Sequence, residues 1–138
     1  MLNQVGQSTP SSPILGGAFS PDEIRAMQRA IVGLFGRWAV TDADAALLLG
    51  GLSAKTFRRW KDGDYGRVTR DLADRMSHLL GIHKALRILF ADPERGYRWM
   101  TAPNDAFDGQ SALDVLRRGG MSDIIRVRHY LNSTRGGW

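Results

Sequence analysis

The stretch from Trp99 to Trp138, WMTAPNDAFDGQSALDVLRRGGMSDIIRVRHYLNSTRGGW, limits the fold of this chain more than any other part. Pro103 stops the helix that reaches it, because it has no amide donor and its ring clashes with the preceding turn. Asn104, Asp105, Asp108 and Gly109 follow, residue types that suit tight polar turns. Ser111 and Asp114 have the spacing of a capping box and open a short amphipathic helix carrying Leu113, Val115 and Leu116. Gly119-Gly120 ends it. Asp123 is then expected to start a last helix, with Ile124, Val127 and Leu131 inward and Arg126, Arg128 and His129 outward. Asn132 to Trp138 has no helical reason to continue, since Gly136-Gly137 frees the backbone. Terminal tails normally fray, yet Trp138 at this tip is the residue type of an interface anchor. Pattern alone gives a compact helical cap on a helical domain.

From Ser20 to that stretch the chain is expected to be a series of helices joined by short turns. Ser20-Pro21-Asp22-Glu23 combines a cap, a proline at the first helical position and a capping box. Ile24, Met27, Ile31, Leu34 and Phe35 keep helical spacing up to Gly36. Thr41 caps a second helix, Asp42 to Leu49, rich in small residues and closed by Gly50-Gly51. Ser53 caps a third, through Trp60 or Lys61, closed by Asp62-Gly63. After a linker, Thr69 caps a long fourth helix with the stripe Leu72, Met76, Leu79, His83, Leu86 and Phe90, widened by Leu80 and Ile82. Gly81 there permits a kink or a close approach. This helix is expected to join the two halves and to offer a dimer surface, although packing within one chain accounts for the same girth. Asp92-Pro93 breaks it, and Pro93 opens a short helix through Tyr97, Trp99 and Met100. The fold class is all-α, with units at 1–19, 20–91 and 92–138. The first, poor in apolar anchors, is expected to be a flexible arm, with Ile14 and Leu15 as its docking points.

Two short helices joined by a glycine turn have the form of a helix-turn-helix, and equally of a plain helical hairpin. Phe57 and Trp60, three apart, should face the core. Ser53, Lys55, Thr56, Arg58, Arg59 and Lys61 then fall on the other faces, with four basic residues and no acid between Ser53 and Lys61. An apolar anchor with cationic donors opposite is what a DNA recognition helix requires. Arg58 or Arg59 suits guanine, and Lys55 and Lys61 suit phosphate. A solvated basic face has the same pattern, and Asp62 and Asp64 dilute the field. The net charge of +5 and isoelectric point near 10.2 favour an anionic partner, nucleic acid first.

The Ala-rich helix, the Gly50-Gly51-Leu52 turn and the spacing of Ser53, Thr56 and Trp60 look like an Xre-type helix-turn-helix. Asn104, Phe107, Gly109, Ser111, Leu113, Leu116, Gly120, Val127, Leu131 and Arg135-Gly136-Gly137-Trp138 resemble the toxin-binding domain of the Xre/MbcA/ParS-like antitoxins. The chain departs from that family at Asp108, where members often have a second glycine, and at Ala112, where they often have proline. The resemblance implies an Xre-like helix-turn-helix bundle at 20–91 and a small helical toxin-binding domain at 92–138. It implies an antitoxin whose partner is a RES, MbcT or ParT toxin that degrades NAD or transfers its ADP-ribose, with the antitoxin's end blocking the nucleotide pocket. Toxin contact is expected at Trp99, Asn104, Phe107, Arg128, Arg135, Gly136, Gly137 and Trp138. A homodimer that binds operator DNA and represses its own operon is implied as well.

Chemistry of other kinds finds little support. Without cysteine there is no thiolate ligand, nucleophile or disulfide, which fits a reducing cytoplasm. His78 and His83 are five apart, off the spacing of paired zinc ligands on a helix, and His83 on the apolar stripe is expected to be packed in the core. No zinc-protease, phosphate-loop or serine-hydrolase motif occurs, and Asp22, Asp42, Asp44, Asp114 and Asp123 sit near helix starts, where the dipole favours them. No enzyme, cofactor or metal is expected, and no apolar run approaches a membrane span. Two other functional classes stay open: a stand-alone transcriptional regulator whose C-terminal domain dimerises or senses a ligand, and an adaptor that does not bind DNA.

Overall fold

Side-chain caps decide where the helices of this chain begin. In the computed structural model, which describes residues 19–134, Ser20 Oγ accepts from the Glu23 amide at 3.1 Å and Glu23 Oε1 accepts from the Ser20 amide at 2.8 Å. That reciprocal pair opens α1 (Pro21–Arg37). Thr41, Ser53 and Thr69 cap α2 (Asp42–Leu48), α3 (Ala54–Lys61) and α4 (Arg70–Leu89). Asp92 caps α5 (Pro93–Thr101), and Ser111 with Asp114 makes the expected capping box of α6 (Ala112–Leu116). A single 3₁₀ turn, Asp105–Phe107, lies between them, and α7 (Met121–Thr134) ends the described chain. The described residues are all-helical, with no strand. The expected arm other than Phe19, and the tail Arg135 to Trp138, lie outside the described residues.

α4 is the spine. It packs on α1 along one side and on α7 along another. Leu72, Met76, Leu79 and Leu86 are buried as the stripe requires, and Ala73, Ile82 and Ala85 form a second buried line. Two buried lines let one helix serve two neighbours. Each large apolar side chain withdrawn from water here contributes about 1.5–3 kcal/mol. His83 and Phe90, expected in the stripe, are only half-buried at its margin. A single apolar core runs from Ile31, Phe35, Trp38, Phe57 and Trp60 through α4 to Phe107, Leu113, Ile124 and Leu131.

Gly81 leaves α4 unbroken, and its use is close approach. A Cβ there would stand 2.5 Å from the Arg128 guanidinium carbon. Arg128 therefore does not point outward, as helical phase had placed it. It lies across α4 and donates to His78 Nδ1 at 2.9 Å, with the imidazole acting as acceptor. Nearer the start of α4, Arg75 donates at 2.8 Å to the carbonyl of Gly119, in the turn that leads into α7.

α7 also differs from expectation at both ends. It begins at Met121, and Asp123, placed at its start by sequence, instead folds back so that Oδ2 accepts from the Gly120 amide at 3.1 Å. It runs past Leu131 through Asn132, Ser133 and Thr134. Leu131 is 1% exposed, Tyr130 is stacked on Trp99, and Thr134 Oγ1 donates to the Tyr130 carbonyl at 3.0 Å. Tertiary anchoring plus a hydroxyl donor for a late carbonyl extends a turn whose own propensity is poor.

Candidate functional site

The turn between α2 and α3 rests on Gly50 and Gly51, with φ of 76° and 104°, a region open to glycine at no steric cost. Beyond it, the roll of α3 is fixed by its aromatics. Phe57 and Trp60 are 2% and 1% exposed, and Phe57 meets Phe35 at 5.7 Å between centroids. This leaves Ser53, Lys55, Arg58, Arg59 and Lys61 exposed, and Thr56 half-buried. Ser53 and Thr56 are occupied locally: Ser53 Oγ accepts from the Thr56 amide at 3.0 Å and donates to Thr56 Oγ1 at 2.9 Å. Lys55 and Arg59 have no ion-pair partner among the described residues.

An acid that the chain order conceals touches this face. Asp42, the first residue of α2, holds Lys61 Nζ at 2.7 Å and has Arg58 at 3.9 Å. Sequence reasoning charged the dilution to Asp62 and Asp64 and explained Asp42 as a dipole residue. The signal that could have exposed it is the crossing of α2 and α3, which brings the start of one helix to the end of the other. Pairs this exposed contribute less than about 1 kcal/mol, so a phosphate can replace Asp42 at little cost.

The second surface is built on three rings. Trp99 of α5 stacks on Tyr130 of α7 at 6.2 Å and 12°, and Phe107 meets Tyr130 edge-on at 5.4 Å. Trp99 also meets Phe107 edge-on at 6.3 Å. Arg126 covers Phe107 at 5.3 Å and donates to the Ala106 carbonyl at 3.1 Å. Asn104 secures the turn: its Oδ1 accepts from Ala106, its amide donates to Gln110, and its carbonyl accepts from Phe107 and Gly109. Asp108 then takes φ of 59°, a conformation in which aspartate is enriched.

Of the expected toxin contacts, Trp99 and Asn104 are half-buried at the rim. Phe107 is 1% exposed, so its place is beneath that rim rather than on it. Arg128 is half-buried and engaged with His78. Arg135, Gly136, Gly137 and Trp138 lie outside the described residues. Sequence reasoning missed Tyr130 and Arg126 as supports, because Tyr130 falls beside the apolar stripe of α7 and Arg126 outside it.

A seam fixes the two surfaces to one another. Arg117, which caps the end of α6, reaches Asp44 of α2 at 2.9 Å and Asp114 at 2.9 Å. Gly119, with φ of 84°, passes so close to α2 that an added Cβ would meet the Leu47 carbonyl oxygen at 3.2 Å. Hydrogen bonds from the Ser111 amide and hydroxyl, helped by Arg117, hold the Asp114 carboxyl below the usual carboxylate range. Burial lowers both half-buried histidines: His78 with help from Arg128, and His83 with help from Arg87 and Arg37.

Residues 20–81 match the antitoxin Xre-like helix-turn-helix domain, and residues 85–137 match the antitoxin Xre/MbcA/ParS C-terminal toxin-binding domain. Over 129 residues the chain is 43% identical to an uncharacterized protein, y4oB, of Sinorhizobium fredii (strain NBRC 101917 / NGR234), covering 92% of this chain and 99% of that one. The chain belongs to the Xre/MbcA/ParS antitoxins. The antitoxin's two matched regions meet inside α4, so the spine carries both. Its domains give it a toxin and DNA as partners. Among the described residues, no helix is long and apolar enough to cross a membrane.

Proposed function

We propose that this antitoxin neutralises a RES, MbcT or ParT toxin, one that degrades NAD or transfers its ADP-ribose, by placing its C-terminal end in the toxin's nucleotide pocket. In this reading Arg135 supplies a planar cationic fork for an anion-binding pocket, Gly136 and Gly137 allow close backbone approach, and Trp138 anchors the end. The observation that carries it is the brace immediately before that end: α7 stays helical to Thr134, and Tyr130 is stacked on Trp99 one turn earlier. A short peptide launched from a fixed helix loses less entropy on binding than one launched from a loose chain. Trp99 and Asn104 form the rim that the toxin meets, and Phe107 and Arg128 hold it in place.

The same protein, as a cytoplasmic homodimer, represses its own operon through Ser53, Lys55, Thr56, Arg58, Arg59 and Lys61. It acts by binding and catalyses nothing. The test is growth and cellular NAD in cells expressing the neighbouring toxin gene. Full-length protein should restore both, and a version ending at Thr134, which keeps every described helix, should restore neither. Equal rescue by the truncation would move the blocking contact upstream to the Trp99 rim. A harmless neighbour would leave a stand-alone regulator as the better reading.

A further inference from the structure

Two adjoining cavities lie on the side of the molecule where α1, α4 and α5 meet. One, of about 200 Å³, is lined by Ala30, Gly33 and Leu34 of α1 and by Leu80 and His83 of α4. The other, of about 250 Å³, is lined by Arg87, Pro93, Glu94 and Tyr97. Arg37 forms a wall of both. The groove lies apart from the recognition helix and from the aromatic rim.

Its walls have an unusual composition for unused surface. Arg37 donates to the Tyr97 hydroxyl oxygen at 3.1 Å, which leaves the phenol hydrogen available to donate. Among the described residues, neither Arg37 nor Arg87 has a carboxylate within ion-pair distance, although Glu94 stands at the edge. His83 Nδ1 is buried and has no hydrogen-bond partner among the described residues. Gly33, inside α1, would carry a Cβ into open space, so no protein neighbour requires a glycine there. Glycine is the weakest helix former after proline, and here its missing side chain leaves the groove open.

We infer that this groove binds a phosphate group, with Arg37 and Arg87 as its principal donors. Two guanidinium groups and a phenol offer more donors than the two oxygens of a carboxylate use, and a tetrahedral oxyanion with three free oxygens uses them better. Arg37 sits where the cavities join, so a phosphate there has the apolar wall of Leu34, Leu80 and Gly33 beside it for an attached body. Burial and the charges of Arg87 and Arg37 hold His83 below its ordinary value, and an anion between them reverses that influence. The phosphate is either free or carried by a nucleotide. This site goes beyond the toxin-blocking reading and does not depend on it.

The ring resonances of His83 and His78 in full-length protein provide the test, titrated at constant ionic strength with inorganic phosphate and separately with adenosine monophosphate. Bound phosphate raises the pKa of His83 and leaves His78, which faces Arg128 on another side of α4, unmoved. Arg37→Gln and Arg87→Gln should each weaken binding about tenfold, the usual weight of a charged hydrogen bond. Gly33→Met fills the groove from open space, so it should abolish binding with the thermal transition retained. Tighter binding of the nucleotide assigns the apolar wall to its base and sugar, and equal binding assigns the site to free phosphate. The proposal is overturned if both histidines respond alike, or if the two arginine variants titrate like the parent.

Discussion

In the helix-turn-helix half, the candidate DNA-facing residues stand on the outer side of α3, and a separate pair, Phe57 and Trp60, holds its inner side. In the C-terminal half the two sets merge. Trp99 is both rim and brace, Phe107 is wholly brace, and Arg128 serves the α4–α7 joint. The difference follows from element size. An eight-residue helix has enough circumference to give one side to the core and another to a partner. A single 3₁₀ turn has not, so its one large side chain goes inside.

The comparison breaks most visibly at Phe107. As a core ring, Phe107→Ala should cost about 3–5 kcal/mol, whereas Lys55→Ala on the outer side of α3 should stay within about 0.5 kcal/mol. Denaturant midpoints decide it. A Phe107→Ala protein that kept its midpoint and bound only the toxin more weakly would make Phe107 an interface residue and abolish the contrast.

Next in size is the proposed DNA face of α3. Replacing Arg58 and Arg59 by alanine should leave stability unchanged. If both touch phosphate, the slope of log affinity against log salt should fall by about 2, near 0.9 for each phosphate no longer neutralised. Base recognition by one of them would instead cost about 1–3 kcal/mol at one operator position. An unchanged slope and affinity would return α3 to a solvated basic face. Asp42→Asn should act in the opposite sense and more weakly, tightening DNA binding a few-fold by freeing Lys61 and Arg58, since exposed pairs hold less than about 1 kcal/mol. Weaker binding in that variant would mean that Asp42 orients Lys61 rather than competing for it.

Local chemistry made much of this fold legible. Ser20, Thr41, Ser53, Thr69 and Ser111 announce five helix starts because a cap is a matter of two to four neighbouring residues. The outward face of α3 was equally plain, since Phe57 and Trp60 fix its roll. What stayed hidden depends on residues far apart in sequence. Asp42 reaches Lys61 only because two helices cross, and Arg128 turns inward only because Gly81 has no side chain. Thr134 remains helical because Tyr130 finds Trp99. Periodicity describes one helix at a time, and each of these outcomes belongs to a pair.

The smallest expected effect concerns pH, and it separates the α4–α7 joint from the α6 cap. His78 and His83 have folded pKa values below their ordinary 6.5, so the unfolded chain takes protons first as pH falls. Their contribution is fully present above pH 6.5 and is lost as pH falls through the lowered folded values. Asp114, also lowered, is charged in both states above its ordinary 3.8, and its contribution is lost only as pH falls through its folded value. Unfolding free energy should therefore decline in two separate acid steps. The first should be below about 1 kcal/mol per histidine, because water reaches both rings and screens their cationic neighbours. Protonating His78 also ends its role as acceptor for Arg128 Nη1. His78→Gln, neutral at every pH, should shrink the first step and leave the second untouched. A first step of undiminished size would assign the acid sensitivity to His83 and the groove beside α1, and would leave the α4–α7 joint indifferent to pH.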